Sequence, residues 1–262
     1  MFILNQFLDA QTILFALGVF LRISVMVLMF PVMGHKLVPA PVKLGLIALL
    51  TIIVVPIAPR TVELAEFDPV YLGLIVVKEV LLGALVGLMA SIVFATAHFA
   101  GQLMSINMGL SMATTVDPTM GSSVSVTGQM INMLAFMAWL MSGAHHMMLG
   151  ALIDSFTWLP IGGEWGVTAG WPGLSEAMGY MFLTALKLSA PILLLMLFVN
   201  AALGVLGRAV PQIQVFFVGL PLGLGLGILV FSLALPAIYS VMSERFGQLL
   251  LLYTPLFQLL GK

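Results

Sequence analysis

Residues Asn200 to Gly227 read N-A-A-L-G-V-L-G-R-A-V-P-Q-I-Q-V-F-F-V-G-L-P-L-G-L-G-L-G. Two apolar segments meet there at a short polar joint, Gly207-Arg208-Ala209-Val210-Pro211-Gln212, where Arg208 and Gln212 bring a charge and an amide into greasy surroundings. Pro211 has no N–H to donate and disfavours helix at Val210, so the joint predicts a break. Beyond it Gly219, Gly223 and Gly227 fall four apart. On a helix they share one face, where another backbone can approach closely. The stretch therefore predicts a packing joint between two helices at membrane depth.

Composition supports that setting. Of 262 residues, 61% are hydrophobic and 7% charged, and mean hydropathy is +1.19. Soluble domains carry roughly 25% charged residues, so the chain reads as membrane-embedded. The net charge of −1 gives no basic surface for nucleic acid. The absence of cysteine removes disulfides and thiolate metal sites. Met1 to Gln11 holds no Lys or Arg and carries Asp9. That is unlike the positive start of a cleaved signal peptide, and the first apolar segment is expected to remain.

A span needs about 20 apolar residues. Candidates lie at 10–34, 42–58, 70–98, 129–153, 174–206 and 212–242, with a shorter apolar tail at 246–260. Several hold charge: Arg22 in the first, Lys78 and Glu79 in the third, Lys187 with Pro191 four residues on in the fifth. Charge and irregular backbone at membrane depth must be shielded from lipid, so at least one helix is expected to be broken or buried in protein. With six spans, Lys36, Lys43 and Arg208 fall on one side and Arg60, Arg245 and Lys262 on the other. The positive-inside rule then gives no orientation. With no domain linker and no short-period repeat, 1–262 is treated as a single domain.

Three constellations could carry chemistry. Glu79, Gly83, Gly87, Ser91 and Ala95 recur every four residues and form one helical stripe. Two readings of Glu79 stand: a carboxylate in an ion or proton path, or a close helix contact with Glu79 satisfied by Arg22, Lys187 or Arg208. The second is preferred, because buried charges are usually paired and the glycines already explain the spacing. The segment 101–129 is small, hydroxyl-rich and almost uncharged, with Met104, Met108 and Met112 on one helical face before Asp117-Pro118 breaks the pattern. Methionine adapts to variable shapes, so the segment is either a flexible gasket at a pore or a loop with methionine as filler. His145 and His146 are adjacent, and one helix face cannot offer both to a metal. No phosphate-binding, metalloprotease or nucleophile-elbow motif occurs, so no enzyme, metal or cofactor is expected.

The order of these features resembles the FliR family, the flagellar branch of the type III export gate, whose injectisome counterpart is SctT. The marks are Arg22 with Pro31, Pro56, Glu79-x-x-x-Gly83-x-x-x-Gly87, Ala100-Gly101, Asp117-Pro118 and Gly143-x-His145. They continue with Asp154-Ser155-Phe156, Leu159-Pro160-Ile161-Gly162, Ala190-Pro191 and Gly204-x-x-x-Arg208-x-x-Pro211-Gln212-x-x-Val215-Phe216. Each is weak alone; order and spacing are specific, and Leu-Pro-Ile-Gly leans to the flagellar branch.

The resemblance implies an all-α, membrane-embedded fold of long helical hairpins, a FliP-like part followed by a FliQ-like part. It implies assembly with FliP-like and FliQ-like subunits into a gate for unfolded flagellar proteins, with an FlhB-like neighbour. The site would be the basal body in the bacterial inner membrane. By motif, the pore plug maps onto Ile106 to Gly121, with Met104, Ile106, Met108, Met112, Asp117, Pro118 and Met120 as its candidates. Arg22, Lys78, Glu79, Gly83, Gly87, Lys187, Arg208, Pro211, Gln212, Gly219, Gly223 and Gly227 are expected as buried charge or helix packing, the last glycines facing neighbouring subunits. The alternative is a stand-alone secondary transporter with a buried charged site.

Overall fold

The computed structural model describes residues 10–30, 33, 38–60, 69–110, 126–163, 171–210, 212, 214–251 and 257. Their regular structure is helical, with no strand among them. The helices are α1 (Ala10–Met29), α2 (Ala40–Val54), α3 (Pro69–Asn107), α4 (Val126–Met141), α5 (Ala144–Trp158), α6 (Trp171–Ala209) and α7 (Val215–Leu251). The all-α, membrane-embedded class is thus met.

The lengths depart from six ordinary spans. Helix α3 has 39 residues, α6 has 39 and α7 has 37. At about 1.5 Å per residue these rods reach about 55–58 Å, nearly twice a hydrocarbon core of about 30 Å. Among the described residues four helices are long and apolar enough to cross a membrane, lying within α1, α3, α6 and α7. Helix α2 is short, with 15 residues.

The span expected at 129–153 is the broken one. Helices α4 and α5 are separated by a break at Ser142–Gly143, and count as a fifth crossing only if taken together. Gly143 starts α5 with φ +70°, a left-handed conformation that glycine adopts without a Cβ penalty. Lys187 and Pro191 do not break their segment. Helix α6 runs through Pro191, as α7 runs through Pro221 and Pro236. Neighbouring groups in a membrane protein can satisfy the carbonyl a proline leaves. The joint between α6 and α7 lies where the sequence puts it, α6 ending at Ala209 and α7 opening at Val215.

Contacts divide the chain into two compact units: Met1–Ile92, Gly143–Ala177 and Phe246–Lys262 in one, Val93–Ser142 and Met178–Arg245 in the other. No single cut in the chain separates them. In the first unit, Phe15, Val19, Ile23 and Met26 of α1 are buried at spacings of three and four, one face of a helix. Helix α1 packs on α2. In the second unit the buried stripe of α3 is Val93, Ala97, Ala100 and Met104, with Met108 buried just past its end. Ile131, Ala135 and Ala138 of α4 are buried, as are Ala185, Leu188, Ile192 and Met196 of α6. Gly101 and Gly128 bring α3 and α4 into backbone contact, and a Cβ on Gly101 would meet the Gly128 Cα. Such contacts suit a setting where lipid is as apolar as leucine and packing, not water exclusion, holds helices together.

Candidate functional site

In the first unit the charged residues of α1 and α3 converge on the end of α5. The stripe of Glu79, Gly83 and Gly87 is what admits α1. A Cβ on Gly83 would meet the backbone carbonyl of Arg22, and one on Gly87 would lie 2.6 Å from Met29 Cβ. With the backbones that close, Arg22 reaches across and Nε donates to Glu79 Oε2 at 2.7 Å. Both side chains are fully buried. The arginine is the partner of Glu79, from among the three the sequence offers.

The rest of the guanidinium serves α5. Nη1 donates to the Ser155 carbonyl at 2.9 Å and to Ser155 Oγ at 3.1 Å. Nη2 donates to the Leu159 carbonyl at 2.8 Å. The Phe156 ring lies with its centroid 4.1 Å from Arg22 Cζ, a cation–π distance. Helix ends leave carbonyls without intrahelical donors, and a cation there also complements the helix dipole. Arg22 therefore caps the C-terminus of α5 while Glu79 neutralises it.

The turn that follows is held the same way. Lys78 Nζ donates to the carbonyls of Pro160 and Gly163. Tyr71 Oη donates to the Gly162 carbonyl at 3.2 Å. Ile161 is buried, with side-chain carbons 3.1 Å from where a Gly18 Cβ would stand. The turn at 159–163 is thus gripped from α1 and α3, and its carbonyls at 159, 160, 162 and 163 are met by side chains. Glu79 Oε1 is a buried oxygen with no hydrogen-bond partner among the described residues.

The other expected site residues fall elsewhere. In the second unit Met104 and Met108 are buried, whereas Ile106 is 54% exposed. Met112, Asp117, Pro118, Met120 and Pro211 lie outside the described residues. The face of Gly219, Gly223 and Gly227, expected to receive neighbouring subunits, is approached by the chain itself. A Cβ on Gly219 would lie 2.9 Å from Leu203 Cδ1, and one on Gly227 would lie 2.6 Å from Met108 Cγ. Next to this face is a cavity of 380 Å³ lined by Asn107, Met108, Met196, Asn200 and Gly204, among others. Lys187 and Arg208, expected among the buried charges, are exposed, as is Gln212. Their long side chains meet no acid among the described residues, and Glu79 is already taken by Arg22.

The arrangement binds helices and offers little chemistry. Among the described residues no three His, Asp or Glu side chains cluster to hold a metal. The grip on the turn was not legible beforehand. Ser155 and Leu159-Pro160 were visible as motif pieces without a role, and Tyr71 was not singled out.

A family model for bacterial export proteins, family 1, matches residues 13–249, which include the whole buried cluster. The flagellar biosynthetic protein FliR of Pectobacterium carotovorum is 34% identical over 230 residues, 87% of each chain. The chain belongs to the FliR family. Its FliR relative in Escherichia coli K12 is 33% identical over 87% of each chain. The FliR of Bacillus subtilis is 31% identical over 87% of this chain and 89% of its own. The family-model match and the geometry therefore concern the same residues.

Proposed function

We propose that this chain is a structural, non-enzymatic subunit of the flagellar export gate in the bacterial inner membrane. In this reading it assembles with FliP-like and FliQ-like subunits, next to an FlhB-like protein, and forms part of the channel for unfolded flagellar proteins. Family membership supports a membrane-embedded component of flagellar export. The observation that carries the structural role is the Arg22–Glu79 pair. Its charges are spent on three helices, with every polar arm of Arg22 directed at protein. A transporter site would need such charges turned towards a substrate.

Affinity purification from the native membrane tests the assembly. FliP-like and FliQ-like chains are expected in a fixed ratio with this one; a solitary protein that moves solute in liposomes would replace the proposal with the transporter. Residues 106–121 are assigned to the plug on the family motif, supported by buried methionines at 104, which leads into it, and at 108, within it. Deleting 106–121 is expected to raise leakage of small solutes through an assembled complex. Unchanged leakage would remove the plug from the proposal.

A further inference from the structure

The exposed face of α6 carries a charge that no acid among the described residues answers. At 100° per residue, Tyr180, Leu183, Lys187, Pro191, Leu194 and Phe198 lie within about 40° of one line along the helix. All six are exposed: Tyr180 by 51%, Leu183 by 55%, Leu194 by 56% and Phe198 by 72%, with Lys187 and Pro191 in the same class. Lys187 has no hydrogen-bond or ion-pair partner among the described residues. Pro191 has no N–H to offer the Lys187 carbonyl, which lies four residues back. This one level of the helix therefore presents a cation and a carbonyl acceptor together.

Lipid alone does not fit this face, wherever the bilayer is placed. If a hydrocarbon slab about 30 Å deep covers the whole stripe, an ammonium sits inside it, about 10 Å from the Tyr180 level and about 16 Å from the Phe198 level. If the slab begins at Lys187, the apolar side chains back to Met178 project up to about 13 Å beyond it. If the slab ends at Lys187, Leu194, Phe198 and Val205 project up to about 27 Å beyond it. Each placement calls for apolar cover on both sides of Lys187 along the axis and a negative charge at its level. A phospholipid has its anionic group at one end and its chains to one side of that group. An apolar protein helix with a carboxylate part-way along it has the required pattern.

We propose that this stripe is a docking face for an apolar helix of another subunit, and that an Asp or Glu of that helix pairs with Lys187. The inference rests on the assembly reading above and adds to it the face, the register and the chemistry of the partner. Opposite charge inside an apolar contact fixes register, because sliding by one turn leaves both ions unpaired in a dry interface.

The test places a photoreactive residue at position 183 or 194 of the full chain, expressed in its native membrane with its natural partners. The expected result is an adduct to a protein helix, mapped by mass spectrometry within one turn of an Asp or Glu. Lys187→Glu should lower adduct yield at least tenfold, and Lys187→Arg should keep it. Changing the mapped carboxylate to lysine should restore the yield with Lys187→Glu. Adducts to lipid only, a mapped site with no carboxylate within a turn, or a yield indifferent to Lys187→Glu would each overturn the proposal. If the wild-type chain carries FliP-like and FliQ-like chains through purification and these adducts still fail, the docking face falls and the assembly reading stands. If those chains are absent from the wild-type preparation, the assembly reading itself falls.

Discussion

Arg22→Met is expected to cost about 3–5 kcal/mol of stability, because it leaves Glu79 charged, fully buried and without its partner. Against a typical total of about 5–15 kcal/mol this is a large share. The variant should extract from membranes in low yield and unfold at a clearly lower temperature in the same detergent. The loss has two separable parts. Arg22→Met with Glu79→Met removes the stranded carboxylate, and should recover most of the penalty. It cannot restore the donor to the Leu159 carbonyl, and the Ser155 carbonyl keeps only the Leu159 N–H, so the double variant should stay about 1–3 kcal/mol below wild type. Glu79→Gln keeps an acceptor for Arg22 but leaves two cations unbalanced, and it too should lower stability. Single variants that unfold with the wild-type midpoint would show that the pair does not hold the unit. Glu79→Gln with normal assembly and normal export would also dismiss Glu79 as a proton carrier.

The glycines should separate into three groups under alanine substitution. Gly83→Ala drives a methyl into the Arg22 carbonyl, and Gly101→Ala drives one into the Gly128 Cα. Backbone cannot step aside as a side-chain tip can, so each should cost about 1–3 kcal/mol. Gly227→Ala meets only side-chain atoms, Met108 Cγ and Cε and Met196 Cε, and should cost less because methionine is unbranched and adaptable. Gly73 and Gly225 have nothing within 4 Å of an added Cβ. Both are inside helices, where alanine is favoured by about 0.5–1 kcal/mol. Thermal unfolding in one detergent should rank Gly73→Ala at or above wild type, with Gly227→Ala next and Gly83→Ala and Gly101→Ala lowest. The reverse order would refute the close approaches.

What could be read in advance was whatever depends on a residue and its neighbours along the chain. Few charges meant membrane, a four-residue repeat from Glu79 to Gly87 meant a close helix contact, and Pro211 beside Arg208 meant a joint. What could not be read depends on what stands opposite. Spacing defines a face of α3 but not which helix fills it, so Arg22, Lys187 and Arg208 stayed open as partners until the backbones were placed. The grip on residues 159–163 runs through main-chain carbonyls, which every sequence has and none displays. Helix ends also misled. The span expected at 70–98 is too short: α3 continues through Gly101, where it meets Gly128, to Asn107. Ser142-Gly143, inside a long apolar run, is a turn signal that was available and marks the real break.

The capping of α5 by Arg22 also sets an order of events at the ribosome. Arg22 is made 57 residues before Glu79 and 137 before Leu159. At about 5–20 residues per second, it waits about 7–27 s for its last acceptor. During that interval the first helix holds an arginine with no counter-charge, which costs about 2.5–3.5 kcal/mol at the centre of a bilayer on insertion scales. Helix α1 therefore starts as a reluctant guest of the membrane, and its settled position depends on helices not yet synthesised when it emerges.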